Sequence, residues 1–79
     1  MRKDWKEITT NKAEFIEALQ NALWIDERSL LESITYEVNL ENQNEYIYVF
    51  FEGGGHKKLH ATGNSNYENA KIILEAVYG

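Results

Sequence analysis

The sequence predicts an α+β fold, in which two helices pack on one face of a three-stranded antiparallel meander in the order α-β-β-β-α. Apolar residues recur at helical spacing near both ends of the chain, whereas the middle alternates between apolar and polar residues, as strands do. Turns rich in asparagine and glycine separate the predicted strands by only a few residues. A length of 79 residues suits one domain, which is expected to cover residues 1–79.

The first helix is predicted to begin near Thr10 or Asn11, because Asn11 and Glu14 have the spacing of a capping box. Residues 1–9 are interpreted as a lead-in, with Trp5 packed on the edge of the domain. The predicted apolar stripe of the helix consists of Phe15, Ile16, Leu19, Ala22 and Leu23.

The end of the first helix stays open at this point. Charged residues at positions 26–28 interrupt the helical pattern, so the helix either ends near Trp24 or continues to Leu30.

Three strands are predicted between the helices. The first covers residues 33–41, and its core-facing side chains are Ile34, Tyr36, Val38 and Leu40. The second covers residues 46–51 and is apolar on both faces, which is typical of a central strand. The third covers residues 56–62 and is more polar, with Lys57 and Lys58 protecting the sheet edge.

The last helix has the clearest start signal, because Ser65 and Glu68 form a predicted capping box directly after a strand. Its core stripe is predicted from Ala70, Ile73, Leu74 and Val77, widened by Ile72 and Ala76. The backbone amides of Gly63, Asn64 and Ser65 form a candidate site for a phosphate or carboxylate. The favoured alternative is that Ser65 and Glu68 already satisfy those amides.

Neither catalysis nor metal binding is expected. The chain lacks cysteine, which excludes disulfides, thiolate metal sites and a cysteine nucleophile. His56 and His60 lie four residues apart on a strand, roughly 13 Å from each other, which is too far to hold one ion without other ligands. No metal and no cofactor is therefore predicted, and the chain is expected not to be an enzyme.

The net charge of −5 argues against direct binding of a nucleic-acid backbone. No apolar stretch resembles a signal peptide or a membrane span, so a cytoplasmic protein without membrane contact is expected. Two interpretations of the acidity remain: it keeps the protein in solution, or it meets a basic groove on another protein.

The outer face of the sheet is the predicted binding surface. If Ile47 and Val49 join the core, Tyr46, Tyr48 and Phe50 must face outward, and exposed aromatic patches usually mark interfaces. Three alternatives stay open: the reverse parity, a homodimer packed sheet to sheet, and a cover formed by the two tryptophans.

Residues 62–65 read Thr-Gly-Asn-Ser and resemble a Thr-Gly-Asp-Ser turn in small uncharacterised proteins of phages and mobile elements, with asparagine in place of aspartate. The element order and the hairpin at residues 44–46 are also similar to small anti-CRISPR proteins, which block a nuclease by mimicking DNA. The resemblance covers residues 33–79 and implies a phage-type protein that acts in the host cytoplasm. DNA mimics concentrate their acidic residues, whereas here they are spread along the chain.

The leading hypothesis is a protein that binds and modulates or inhibits a host protein, such as a nuclease or another nucleic-acid-binding defence factor of CRISPR or restriction type. The aromatic residues would anchor the partner, and the acidic residues would steer it. The predicted partner-binding residues are Glu37, Asn39, Glu41, Glu45, Tyr46, Tyr48 and Phe50. The alternatives are a protein that binds or sequesters nucleotides or other anions at residues 63–65, and a self-associating structural subunit.

Overall fold

The computed structural model describes residues 5–79 and has the predicted α-β-β-β-α order. Its elements are α1 (Trp5–Ile25), a 3-10 turn (Glu27–Ser29), β1 (Leu31–Val38), β2 (Glu45–Phe51), β3 (His56–His60) and α2 (Asn66–Tyr78). The strands form one antiparallel sheet in the order β1-β2-β3. The predicted fold class is therefore confirmed.

Helix α1 begins at Trp5, so the predicted start near Thr10 or Asn11 and the capping box of Asn11 with Glu14 are wrong. The buried residues of the helix share one stripe, consisting of Trp5, Lys12, Ile16 and Leu23. Because the buried stripe begins at Trp5, α1 already packs against the protein interior before Asn11. The predicted lead-in is wrong for residues 5–9, and residues 1–4 lie outside the described residues.

The open question at the end of α1 is settled by the structure, because the helix ends at Ile25. Asp26 then caps the 3-10 turn, since its carboxylate accepts a hydrogen bond of 3.0 Å from the backbone N–H of Arg28. Leu30 follows in the left-handed region, with φ of 53°, and turns the chain into β1.

Two side chains of α1 bind the outer edge of β1. The side-chain oxygen of Gln20 accepts a hydrogen bond of 2.7 Å from the N–H of Ile34. The indole N–H of Trp24 donates to the carbonyl of Glu32 at 2.9 Å. These bonds satisfy backbone groups that an edge strand would otherwise offer to another chain. Trp24 therefore lies beside β1, and Trp5 lies on the buried stripe of α1, so the alternative that the two tryptophans cover the outer face of the sheet is wrong.

The core lies between the two helices and one face of the sheet. It consists of Ile16 and Leu23 from α1, Leu31, Ile47, Val49 and Ala61 from the sheet region, and Ile73 and Ala76 from α2. Three predicted core residues are exposed instead, and one of them is Ala22 on α1. Strand β1 ends at Val38, which leaves Leu40 in the hairpin turn, and Leu74 points away from the core on α2.

The predicted capping box of α2 is confirmed. The Ser65 hydroxyl accepts from the N–H of Glu68 at 3.2 Å, and the Glu68 carboxylate accepts from the N–H of Ser65 at 2.9 Å. This reciprocal pair sets the position at which the chain leaves β3 and enters the helix. Within residues 5–79, no helix combines the length and the hydrophobicity that crossing a lipid bilayer requires.

Candidate functional site

The outer face is the sheet face opposite the helices. Because Glu45, Ile47 and Val49 are buried, their neighbours on β2 must point the other way, as predicted. The cross-strand register places Thr35, Tyr48 and Lys58 in one row and Glu37, Tyr46 and His60 in the next. A third row contains Ser33, Phe50 and His56. The outer face therefore consists of Ser33, Thr35, Glu37, Tyr46, Tyr48, Phe50, His56, Lys58 and His60.

The aromatic side chains of this face pack against each other and against β3. The rings of Tyr48 and Phe50 are stacked, with centroids 6.4 Å apart and planes at 21°. The Tyr46 ring meets His60 edge-on at 5.3 Å, and the Lys58 ammonium lies 4.5 Å from its centroid. The three aromatic residues are consequently half-buried, and their orientation is fixed by their neighbours.

We call Tyr46, Tyr48 and Phe50, which follow one another on the outer face of β2, the aromatic row. A shallow concavity of about 590 Å³ opens between this row and the β1–β2 turn. We call it the hairpin concavity, and it is lined by Glu37, Val38, Asn39, Leu40, Glu41, Tyr46 and Tyr48. Five of the seven residues predicted to bind a partner thus line one depression. Leu40, which was assigned to the core, is 62% exposed and provides an apolar rim.

Asn39 and Phe50 have different positions in this region. The Asn39 side-chain oxygen accepts from the N–H groups of Glu41 and Asn42, at 2.9 and 3.3 Å, and so shapes the turn. Phe50 lies outside the concavity and is stacked on Tyr48.

Glu45 is only 1% exposed, so the expectation that it presents its charge to a partner is wrong. Its Oε1 accepts hydrogen bonds from the Lys12 ammonium at 2.9 Å and from the Tyr36 hydroxyl at 2.6 Å. Its Oε2 accepts from the N–H of Gly63 at 3.0 Å. We call these four residues the Glu45 cluster. The alternation of β2 could have revealed this position, since residue 45 has the same parity as the buried Ile47 and Val49.

The protonation state of the Glu45 cluster follows from these contacts. Burial pushes the pKa of Glu45 up, but hydrogen bonds from Lys12, Tyr36 and Gly63, together with the lysine charge, outweigh burial and leave the pKa below its ordinary value. Burial and the hydrogen bond to the carboxylate raise the pKa of Tyr36 far above its ordinary value. The carboxylate is thus ionised and the phenol protonated at neutral pH.

The amides predicted to hold an anion already have acceptors within the protein. Gly63 donates to the Glu45 carboxylate, Ser65 donates to the Glu68 carboxylate, and Asn64 donates to the Ala61 carbonyl at 3.0 Å. The structure thus has the favoured alternative, in which acceptors of the protein itself satisfy the three amides. Glu45 is an acceptor in addition to those predicted.

The sequence did not identify three buried polar residues, which are Lys12, Ser29 and Asn69. Lys12 is absent from the predicted apolar stripe of α1 but lies on its buried stripe. Asn69 of α2 is 0% exposed, and among residues 5–79 neither its side-chain oxygen nor its nitrogen has a hydrogen-bond partner. Helical spacing could have found Lys12 and Asn69, because Lys12 lies seven residues after Trp5, and Asn69 lies four residues before Ile73 and seven before Ala76.

The described part of the chain contains no group of three or more histidine, cysteine, aspartate or glutamate residues arranged to hold a metal ion. Comparison of the chain with protein families, curated proteins and solved structures found no match.

Proposed function

We propose that this chain is a protein-binding module that docks a partner protein on its outer face, with the hairpin concavity at the centre of the interface. The observation that carries this proposal is the concavity itself, because it combines two tyrosine rings, the exposed Leu40 and two exposed glutamates. Tyrosine is enriched among the few residues that supply most of the binding energy in protein interfaces.

The aromatic row is ordered before any partner arrives. The rings of Tyr46 and Tyr48 are held by Phe50, Lys58 and His60, so little side-chain entropy is lost when they are covered. A flat protein surface with one protruding side chain fits this geometry, since the protrusion enters the concavity and the surrounding surface covers the row.

Charge indicates the chemistry of the partner. Glu37 and Glu41 line the concavity, and the chain as a whole carries −5. Both features favour a cationic partner surface, which approaches faster and docks in a defined orientation. Basic grooves of this kind are typical of proteins that bind nucleic acid.

The narrower proposal concerns the origin of the partner. The resemblance of residues 33–79 to phage and anti-CRISPR proteins, together with the acidic concavity, supports a role in inhibiting a host nuclease or another nucleic-acid-handling defence protein. The chain would then act in the host cytoplasm.

The test is a tagged pull-down from host lysate treated with nuclease, using wild type, Tyr48→Ala and Tyr67→Ala. Tyr67 is a matched control, because it is a highly exposed tyrosine on α2 rather than on the outer face. We expect one protein to be captured by wild type and Tyr67→Ala and lost with Tyr48→Ala.

Circular dichroism must show that the Tyr48→Ala variant is folded, and Leu40→Ser provides a second variant outside the core. Equal capture by wild type, Tyr48→Ala and Leu40→Ser would contradict the proposal. Identification of the captured protein then tests the narrower proposal, which fails if that protein has no role with nucleic acid.

Self-association is the second candidate function, and the edge position of β3 favours it. A second copy could pair with this edge or pack its outer face against the first, although Lys57 and Lys58 oppose edge pairing. Light scattering at several concentrations tests this candidate, because a constant monomer mass excludes it.

A further inference from the structure

A second apolar surface lies where α1 leads into β1, at the opposite end of β1 from the hairpin concavity. Three large apolar side chains are exposed there: Trp24 by 51%, Ile25 by 84% and Leu30 by 58%. Trp24 and Leu30 line a depression of about 430 Å³, and we call this region the apolar corner. Two exposed apolar side chains that line one depression, as Trp24 and Leu30 do, mark an interaction surface more often than a single exposed leucine does.

The apolar corner is held in a fixed shape. The indole of Trp24 is hydrogen-bonded to the Glu32 carbonyl at 2.9 Å, and the carbonyl of Leu30 accepts from the N–H of Glu52 at 2.9 Å. The Ser29 hydroxyl donates to the Leu23 carbonyl at 2.9 Å and accepts from the N–H of Leu31 at 3.2 Å. The depression is therefore formed without a partner, which reduces the cost of filling it.

Carboxylates surround the depression. Asp26, Glu27, Glu32 and Glu52 line it, and the Arg28 guanidinium lies 3.4 Å from the Asp26 carboxylate. Four carboxylates and one guanidinium leave a local charge of −3, out of −5 for the whole chain.

The negative charge restricts the kinds of molecule that can bind at the apolar corner. Nucleic acid and anionic lipid surfaces are repelled by it. A second copy that presents the same corner is repelled as well, because a twofold contact would bring both acidic rims together. A cationic partner with an apolar side chain is attracted, since it meets both features at once.

We propose that the apolar corner binds a basic amphipathic segment of a partner protein. An apolar side chain of that segment fills the depression between Trp24 and Leu30, and flanking lysines or arginines pair with Glu32 and Glu52. The surface is separate from the hairpin concavity, so this inference stands whether or not the outer face binds a partner.

The probe is a synthetic peptide of about fifteen residues, with leucines along one helical face and lysines along the other. A matched peptide carries glutamate at each lysine position. Calorimetry measures affinity, and tryptophan emission reports the site because Trp24 is exposed whereas Trp5 is buried. We expect the lysine peptide to bind and to shift the emission to shorter wavelength, and the glutamate peptide to do neither.

Two double variants separate the corner from general charge attraction. Glu32→Gln with Glu52→Gln should weaken the lysine peptide about tenfold or more, whereas Glu14→Gln with Glu17→Gln should change affinity by less than about twofold. Both pairs remove two exposed charges, but the second lies on the solvent side of α1. Leu30→Asn should also weaken binding, because it removes the apolar wall of the depression.

Equal losses in the two double variants would overturn the inference, as would an unshifted Trp24 emission on binding. A concentration-dependent dimer that is lost on Leu30→Asn would assign the corner to a second copy and would also overturn it. Tyr48→Ala should leave peptide affinity unchanged. If it abolishes peptide binding, the peptide occupies the outer face, which contradicts this inference but not the proposed function.

Discussion

At the scale of single residues, one buried carboxylate forms hydrogen bonds to three separate parts of the fold. Glu45 accepts hydrogen bonds from Lys12 on α1, Tyr36 on β1 and Gly63 in the turn before α2. A charge in this position is tolerated only because its partners replace the lost hydration. Removal of one partner therefore leaves an uncompensated charge inside the protein.

We expect Lys12→Met to lower the free energy of unfolding by about 3 kcal/mol or more, because it leaves the Glu45 carboxylate unpaired. Combined with Glu45→Gln, the total loss should be smaller than the sum of the two single losses by about 1–2 kcal/mol. Urea unfolding measures all four free energies, and Lys71→Met, at an exposed site, is the control. Strict additivity would show that the two groups do not interact.

The Glu45 cluster also explains a limit of sequence reasoning. Lys12 and Glu45 are separated by 33 positions, and each belongs to a segment in which charged residues are mostly exposed. Strand parity identifies Glu45 as inward-facing, but no local pattern reveals which cation meets it. Pairing across that distance is decided by tertiary packing.

At the scale of elements, local signals were reliable where they were reciprocal. The start of α2 follows from a capping box in which both halves form. The start of α1 was misjudged, because Asn11 and Glu14 have capping spacing in a stretch that is already helical. The buried stripe decides the boundary there, and burial depends on the sheet that α1 meets. Both boundaries of β1 and the end of β3 differ from the prediction by two or three residues. These boundaries too depend on packing within the folded sheet.

Asn69 is a buried polar residue of α2 whose replacement by an apolar residue should stabilise the protein. Asn69→Leu should raise the free energy of unfolding by about 1–2 kcal/mol, because burial of an unpaired amide costs more than burial of an alkyl group of similar size. Thermal unfolding measures the gain. Asn21→Leu, at an exposed position of α1, controls for helix propensity and should change stability by less than about 0.5 kcal/mol. A destabilised Asn69→Leu would show that the amide is satisfied in solution.

At the scale of the whole molecule, the fold class and the two faces of the sheet were predictable, because alternation and turn chemistry are written locally in the sequence. The hairpin concavity was predictable in most of its residues for the same reason. The apolar corner was not, because Leu30 and Glu52 lie far apart in the sequence and meet only when the sheet forms.

All carboxylates of the chain can contribute to the loss of stability at low pH. We expect the Glu45 cluster to make the largest contribution. The pKa of Glu45 lies below its ordinary value of 4.5, so its stabilisation is complete above that value and is lost as the pH falls through the lower, folded-state pKa. The raised pKa of Tyr36 acts at the other limit, where stability is lost as the pH rises above 10.0.

Urea midpoints measured from about pH 3 to pH 11 test both limits. Glu45→Gln should be less stable at neutral pH and should show a flatter acid limb than wild type. Parallel acid limbs in the two proteins would assign the acid sensitivity to other carboxylates, such as Asp26, whose pKa is lowered mainly by its hydrogen bond from Tyr78.

The Glu45 cluster also restricts how this sequence can evolve. A single replacement at position 12 or 45 passes through an intermediate with a buried unpaired charge, whereas a joint replacement by apolar residues avoids that intermediate. Position 36 is coupled to both, because the Tyr36 hydroxyl and the Lys12 ammonium donate to the same Oε1 of Glu45. Descendants of this protein should therefore keep these three residues together or exchange them together, even where the binding surfaces diverge to follow their partners.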